Sequence, residues 1–416
     1  MKKKILLIET EITDTGGHFF DNLIESFYSF KDEFNVSCIL NNKFNLNNTF
    51  LPKDMILKKI LFRNFYEKKD NKFLYYFFEF IFLLLRFFLG FLFIFYFLYK
   101  QNIISYLTAL ISNNFLLPKY FLEIYFYLKK NNFNSSDNIF FQTVRNNDMS
   151  LANFLTRIDN NIPKIHLRVL HTPSEKKIIG GFYFYLNKIQ NFLKNKRIFL
   201  YVLTEKNYNL FKGKKGDNSG LFLTNIPWVF FKRTSPINKI VVGYMGDARV
   251  SRGFNLLPEL IKKIFKKTDD IVFLIQFSKL SDEVNNTFEI LSDMSKKNDK
   301  IIILKKYLDY KDFRNTLEKI DIMPILHNSN EINNGNPSTI YSSITHEIPM
   351  IIPTNLKYMN NILVNKSYEY GDNLDDITEN IIKIKNNYLT YLNAAKKNSS
   401  ILFDVFSNDP LKKNFR

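Results

Sequence analysis

Short β-branched apolar runs alternate along this chain with segments whose apolar residues recur at helical spacing. In the first half, Ile5 to Ile8, Val36 to Leu40, Asn138 to Gln142, Ile165 to Leu170 and Phe199 to Leu203 read as strands. Phe20, Leu23, Ile24 and Phe27 fall on one helical face, and Met149 to Ile158 reads as a further helix. The second half repeats the alternation. Ile240 to Tyr244, Ile271 to Gln276, Ile301 to Leu304 and Asp321 to Leu326 read as strands. Leu256 to Phe265, Asp282 to Met294 and Tyr310 to Glu318 read as helices, and Ile377, Ile381, Ile382 and Ile384 mark another after Asp376. Strand and helix in turn predict an α/β chain of doubly wound domains. At 416 residues the chain is too long for one ordinary core. The expected division is an N-terminal domain over 1–227, a linker over 228–238, a C-terminal domain over 239–385 and a tail over 386–416 returning toward the first domain.

One segment breaks the alternation. Phe73 to Tyr99 is almost uninterrupted Phe, Leu, Ile and Tyr, relieved only by Glu79, Arg86 and Gly90. About 20 such residues can cross a bilayer as a helix. A single crossing, however, would divide strands of one sheet between the two sides of the membrane. Glu79 and Arg86 share a helical face, which is expected to point at protein or headgroups while the aromatic remainder dips into lipid. Arg63, Lys68, Lys69, Lys72 and Lys100 flank the segment and favour anionic lipid. Ile103 to Tyr127, with Pro118 inside, is expected to pair with it as a shallow hairpin, so that 73–128 forms an apolar insertion. The preferred reading is attachment to a membrane surface through 73–99 without spanning. The alternative is a helix buried within the domain.

Composition narrows the partners. The net charge of +18 favours anionic ligands. The lysines are spread along the chain and form no aromatic-bearing basic face, so nucleic acid is not expected. The lone cysteine, Cys38, excludes an internal disulfide and a cysteine-based zinc site, and its apolar surroundings suggest a core thiol. Met1 to Lys4 resembles the start of a signal peptide, but the following apolar run is too short and is closed by Glu9 and Glu11. The expected location is therefore cytoplasmic, peripheral on the inner face of the membrane.

Candidate chemistry lies where strands end. After Ile240 to Tyr244 come Gly246, two arginines within six residues, Arg249 and Arg252, and Gly253. A strand, a glycine turn with fixed cations and a helix is how an α/β sheet meets an anion at its carboxyl edge. Each guanidinium offers a planar, always-charged fork to phosphate oxygens, although a loop with two solvated arginines is the plainer reading. Gly16-Gly17-His18 between the first strand and first helix allows close approach to backbone. The third glycine of the dinucleotide fingerprint is missing, which disfavours hydride chemistry. His171 follows the strand Ile165 to Leu170 at its ligand edge, whereas His166 falls within that strand. Pro337, at a first helical position with Ser338 and Thr339 beside it, makes a helix start with free amides.

Gly246-Asp-Ala-Arg-Val-Ser-Arg-Gly253-Phe resembles the start of the C-terminal domain in retaining nucleotide-sugar glycosyltransferases of the GT-B fold, family 4. Leu308 to Pro324 is similar as well, and the likeness extends over most of the chain. It implies two facing Rossmann-like domains and a sugar moved from a nucleotide-diphosphate donor to a glycan or lipid-linked acceptor in surface polysaccharide or glycoconjugate synthesis. In such proteins Gly246, Arg249 and Arg252 would hold the donor diphosphate, and His171 would lie near the donor sugar. Gly16, Gly17 and His18 would face phosphates and acceptor, and the helix start at Pro337, Ser338 and Thr339 would take the distal phosphate. The donor's own phosphate would accept the proton, so neither a metal nor a cofactor is implied. Relatives carry two glutamates about eight residues apart. Here Ser342 occupies the second position, Glu331 is the candidate for the first, and Glu347 stands where glycine is usual. That departure leaves open a non-catalytic binding or partner subunit. A membrane-anchored structural protein would leave both the glycine pair and the arginine pair unexplained.

Overall fold

The computed structural model describes residues 2–9, 18–41, 56–60, 72–100, 103–170, 182–203, 205–215, 219–224, 229–233, 239–308, 310–327, 338–356, 363 and 366–416. The chain divides into unit 1, Met1–Pro227 with Asp409–Arg416, and unit 2, Trp228–Asn408. The segment that belongs with the first unit again is thus shorter than 386–416 and begins at Asp409.

Unit 1 is built on β1 (Lys4–Glu9), α1 (His18–Phe30), β2 (Asn35–Asn41), β3 (Ile56–Ile60), α2 (Lys72–Tyr99), α3 (Ile103–Ser112) and α4 (Phe121–Lys130). It continues through β4 (Asn138–Phe141), α5 (Asn146–Ile158), β5 (Lys164–Val169), α6 (Phe182–Lys194), β6 (Ile198–Val202), α7 (Glu205–Lys215) and β7 (Leu221–Leu223). The strands form a 7-stranded parallel sheet in the order β3-β2-β1-β4-β5-β6-β7. Both faces of a parallel sheet are covered, which is why β1, β4 and β6 read as unbroken apolar runs rather than as alternation. Cys38 on β2 is fully buried, and burial raises its thiol pKa well above the usual range.

The predicted shallow hairpin is corrected for α4 alone, since α3 packs on α2 with Tyr106 donating to Gly90 O at 2.7 Å. α2 and parts of α3 show most of their apolar side chains to solvent, whereas α4 leaves Phe126 exposed but buries Phe121, Ile124 and Leu128 in the core of unit 1. Tyr120, in the left-handed conformation at φ 67°, starts α4 two residues after Pro118 and turns the chain inward.

Unit 2 runs through β8 (Ile240–Met245), α8 (Leu257–Phe265), β9 (Ile271–Phe277), α9 (Asn285–Lys297), β10 (Ile301–Lys305), α10 (Tyr310–Leu317), β11 (Met323–Pro324) and α11 (Ser338–Thr345). It ends with β12 (Met350–Ile352), β13 (Tyr368–Tyr370), α12 (Leu374–Asn386) and α13 (Tyr388–Ser407). Two three-stranded parallel ladders, β10-β9-β8 and β11-β12-β13, meet at a bridge between Val242 and Ile322, where Gly243 N donates to Ile322 O at 2.9 Å. The resulting order, β10-β9-β8-β11-β12-β13, is that of a doubly wound dinucleotide-type sheet, whose strand order reverses between β8 and β11. The strand predicted over Asp321 to Leu326 is regular only at Met323–Pro324. Asp321 instead turns its carboxylate to the start of β8, accepting from Val241 N at 2.7 Å, and pairs with Arg233 at 2.6 Å.

The last helix, α14 (Pro410–Phe415), lies on the sheet of unit 1. Asp409 accepts from Leu411 N at 2.8 Å and so caps α14, and it also accepts from the Thr224 hydroxyl. Asn138 donates to Phe415 O at 3.0 Å, and the Phe415 ring stands edge-on to His166.

Candidate functional site

In an open doubly wound sheet, ligands bind outside the carboxyl ends of the strands where the order reverses. In unit 2 that point lies between the residues following β8 and those following β11. The first set is the turn Gly246 to Gly253. Its base is fixed by Gly246 N donating to Gln276 O at 3.2 Å and by Ala248, which pairs with the 279–281 segment through hydrogen bonds of 2.8 and 2.9 Å. Val250 to Arg252 then form a turn of 3₁₀-helix whose first amide, Val250 N, is held by Glu283 at 3.0 Å. Gly253 follows at φ 72°, and a Cβ placed on it would stand 2.0 Å from Leu326 O. Only glycine lets the arginine turn lie this close to the backbone at the end of β11.

That contact brings a third basic group to the arginines. His327, the residue after Leu326, lines a cleft with Tyr244, Arg252, Leu326 and Thr339. Burial, then the Arg252 and Arg249 cations, push the His327 imidazole down to about 3, so at neutral pH the ring is uncharged. Burial and then the Arg249 charge lower the Arg252 guanidinium, which stays protonated nonetheless. Among the described residues, Arg249 Nε, His327 Nδ1 and Thr339 Oγ1 are buried here with no hydrogen-bond partner. Buried polar groups are ordinarily satisfied by protein, water or ligand, so these atoms are available to a bound group. Fixed positive charge with unspent hydrogen bonds is chemically suited to an oxyanion such as a phosphate.

Of the residues singled out from sequence, Arg249, Arg252, Gly246 and Thr339 gather at this edge, with Ser338 at the start of α11. Ser342 lies a turn further along α11, buried, with its carbonyl accepting from His346 Nδ1 at 2.8 Å. Gly16, Gly17, His171, Glu331 and Pro337 lie outside the described residues, and His18 begins α1. Sequence reasoning passed over His327, although it follows a predicted strand directly, the same position that drew attention to His171.

Glu347, at a position where the family resemblance implies glycine, adopts φ 58° at the end of α11. Its carboxylate accepts from Arg233 N at 3.1 Å, which offsets the cost of a left-handed backbone on a residue with a Cβ. His346 stacks on Phe231 with ring centroids 4.7 Å apart, beside the buried Arg314. Burial and then Arg314 push its imidazole down to about 3.

Unit 1 has its own polar carboxyl edge. Its strand order reverses between β1 and β4, whose ends carry Glu9 and Gln142. Arg168, near the end of β5, is fully buried and donates from Nε to Gln142 O at 3.0 Å. Burial lowers its pKa to about 10, against the opposing pull of Glu9 and Asp409. Among the described residues, both terminal nitrogens of Arg168 and both amide atoms of Gln142 are buried without partners. His166, by contrast, is spent within the fold, bonded to Tyr201 and Asn138 at 2.9 Å each.

Both units have the doubly wound architecture, and unit 2 carries a cationic edge at its switch point. No family model and no curated protein matches the chain. Solved structures do match. A glycosyltransferase from Rickettsia africae aligns at 12% identity and TM-score 0.58 over 98% of this chain and 94% of its own. S. aureus TarM, in a complex with UDP and α-GlcNAc-glycerol, aligns at 12% identity and TM-score 0.58, covering 97% of each chain. Anabaena HepE, in complex with UDP and glucose, aligns at 10% identity and TM-score 0.54 over 96% of this chain and 94% of its own. The chain has the GT-B fold of nucleotide-sugar glycosyltransferases.

Proposed function

We propose that this protein is a glycosyltransferase that takes a sugar from a UDP-sugar, with retention at the anomeric carbon, and places it on a hydroxyl of a glycan or lipid-linked acceptor. The observation that carries the reading is the set of unpartnered atoms around Arg252: Arg249 Nε, His327 Nδ1 and Thr339 Oγ1. Breaking a sugar–diphosphate bond builds negative charge on the leaving group, and donors fixed in advance stabilise it without reorganisation. Arg249 and Arg252 would bear that charge, and the neutral His327 and the start of α11 would add hydrogen bonds to it. The polar edge of unit 1 around Arg168 and Gln142 supports a role for that unit with the acceptor. The UDP in two structural neighbours supports the choice of nucleotide.

Ser342 favours a second reading, a binding subunit that has lost chemistry, because a buried hydroxyl replaces a charged contact. Calorimetry with UDP, followed by product analysis with a panel of UDP-sugars, separates the two. Under the enzyme reading, Arg249→Ala lowers turnover by roughly 10²-fold or more, as losing one such donor does elsewhere, with an unchanged melting temperature. UDP binding with no transfer or donor hydrolysis would establish the binding subunit. Near-normal turnover in Arg249→Ala would remove the assignment of the diphosphate to this edge.

A further inference from the structure

The 28 residues of α2 present two unlike faces. Glu79, Arg86, Gly90, Phe93 and Phe97 fall on one stripe at helical spacing, and this stripe is docked on the protein. Glu79 pairs with Lys119 at 3.0 Å, and Arg86 Nε donates to Leu117 O at 2.6 Å. Tyr106 on α3 donates to Gly90 O at 2.7 Å, and its ring stacks on Phe97 with centroids 4.4 Å apart. Both charged groups within the apolar run are thus held against unit 1.

The opposite stripe carries Phe77, Leu84, Phe88 and Phe95, exposed by 48%, 42%, 62% and 71%. Ile104 and Ile111 on α3 are exposed as well. From Glu79 to Tyr99 the mean hydropathy is 2.5 and only 12% of the segment is buried. Among the described residues no charged side chain interrupts the open face between Phe77 and Phe95.

We propose that α2 lies in the plane of an anionic lipid leaflet, with the Phe77–Phe95 stripe immersed in the acyl boundary and the Glu79–Phe97 stripe kept on the protein. This is independent of the glycosyl-transfer reading. Three observations choose lipid over a second copy of the chain. Protein interfaces carry a polar rim and about one hydrogen bond per 100–200 Å². This stripe offers no polar atom along its whole length, which suits hydrocarbon. The basic residues cluster at its ends, with Lys100 exposed beside Tyr99, Lys72 opening the helix, and Arg63, Lys68 and Lys69 preceding it in sequence. The net charge of +18 has the sign that an anionic leaflet attracts. The polar anchors at Glu79 and Arg86 exclude a crossing. They tie the apolar run to the 117–119 segment of unit 1, and Tyr106 ties its Gly90 and Phe97 to α3.

The test uses the full chain and flotation with phosphatidylcholine vesicles, with and without phosphatidylglycerol. The protein should float with the anionic vesicles, less so as salt is raised, and Phe77→Asn/Phe88→Asn/Phe95→Asn should lower the partition at least tenfold. That variant should keep its helical circular dichroism, since all three rings are exposed, and Ile290→Asn on α9 should float like the parent. Depth is then read in a Trp228→Phe background from Phe77→Trp, Phe88→Trp and Phe95→Trp with brominated lipids. Equal quenching depth at the three positions is expected. A helix that crossed would spread residues 77 and 95 over about 27 Å of depth, eighteen residues at 1.5 Å each, and that result overturns the in-plane placement. Absence of flotation, with an oligomer in solution that the triple variant converts to monomer, would give the face to a second copy instead.

Discussion

Gly253→Ala tests whether the arginine turn and the end of β11 form one unit. The added Cβ would stand 2.0 Å from Leu326 O, 2.5 Å from Leu326 Cβ and 2.8 Å from Leu326 C, at a backbone φ of +72°. Two costs combine. A residue with a Cβ in the left-handed region costs roughly 1–2 kcal/mol. The overlap with a carbonyl cannot be relieved by a rotamer, because the atom struck is backbone, and relief by more than an ångström must move either the turn or Leu326. Together these place the loss at about 3 kcal/mol or more, in the range reserved for named steric faults. For a unit of this size each kcal/mol is worth about 2–4 °C, so the melting temperature of unit 2 should fall by roughly 6–12 °C.

Differential scanning calorimetry of the full chain reads this directly. Gly213→Ala is the control, because a Cβ there meets nothing within 4 Å and Gly213 lies inside helix α7. It should be neutral or stabilising by up to about 1 kcal/mol. Whichever side yields in Gly253→Ala, Arg252 and His327 separate, so any stabilisation of the parent by UDP should shrink in the variant. A variant that melts within a degree or two of the parent and responds equally to UDP would show that the close approach at Gly253 organises nothing.

Replacing His327 tests the third basic group. His327→Leu should weaken UDP binding by about tenfold or more, since a hydrogen bond to a charged group is worth roughly 1.5–3 kcal/mol. Because His327 titrates near 3, the binding isotherm between pH 5 and 8 should show no step that vanishes in His327→Asn. Stability should depend on pH through the buried histidines His166, His327 and His346, whose folded pKa values lie well below 6.5 for His166 and at about 3 for the other two, against 6.5 unfolded. Over that interval the unfolded chain binds the protons and the folded chain does not. Stability is therefore fully present above pH 6.5 and is lost as pH falls, by about 1.4 kcal/mol per pH unit for each group. Urea unfolding from pH 8 to 5 should show this decline, and a flat profile would mean that these rings are not held neutral. Glu347→Gly should be nearly neutral, exchanging backbone relief for a lost carboxylate at Arg233 N. Glu347→Val, which has neither the acceptor nor an easy left-handed backbone, should cost at least about 2 kcal/mol by thermal melt.

The chemistry was legible in sequence where one local segment carries it, and hidden where two distant segments must meet. Ile240 to Tyr244 announced itself as a buried strand, and Gly246, Arg249, Arg252 and Gly253 followed within one turn's reach. Gly253, however, matters because of Leu326, and no periodicity relates those two positions. The same distance in sequence concealed His327, which becomes a site residue only when β11 is laid beside β8. It also concealed the true length of that strand. Asp321 looked like its first residue, but its carboxylate serves Val241, Arg233 and Tyr388, and the chain is not regular until Met323.

The long apolar helix shows the converse. Its composition is extreme, yet composition could not say which side was open, because nearly every position is apolar. Two charged residues decided it. Glu79 and Arg86 share a face, and in a segment with no other charged side chain between Phe73 and Tyr99 that face must find polar partners or water. The structure supplies Lys119 and the Leu117 carbonyl. Once those two are satisfied on the protein, the helix's rotation is fixed and the stripe from Phe77 to Phe95 is left facing outward. The rare polar residues, rather than the abundant aromatic ones, set the orientation. Exchanging Glu79 and Arg86 for leucine would accordingly leave the helix as apolar as before but free to turn, and its depth profile in lipid would lose the uniformity expected of the parent.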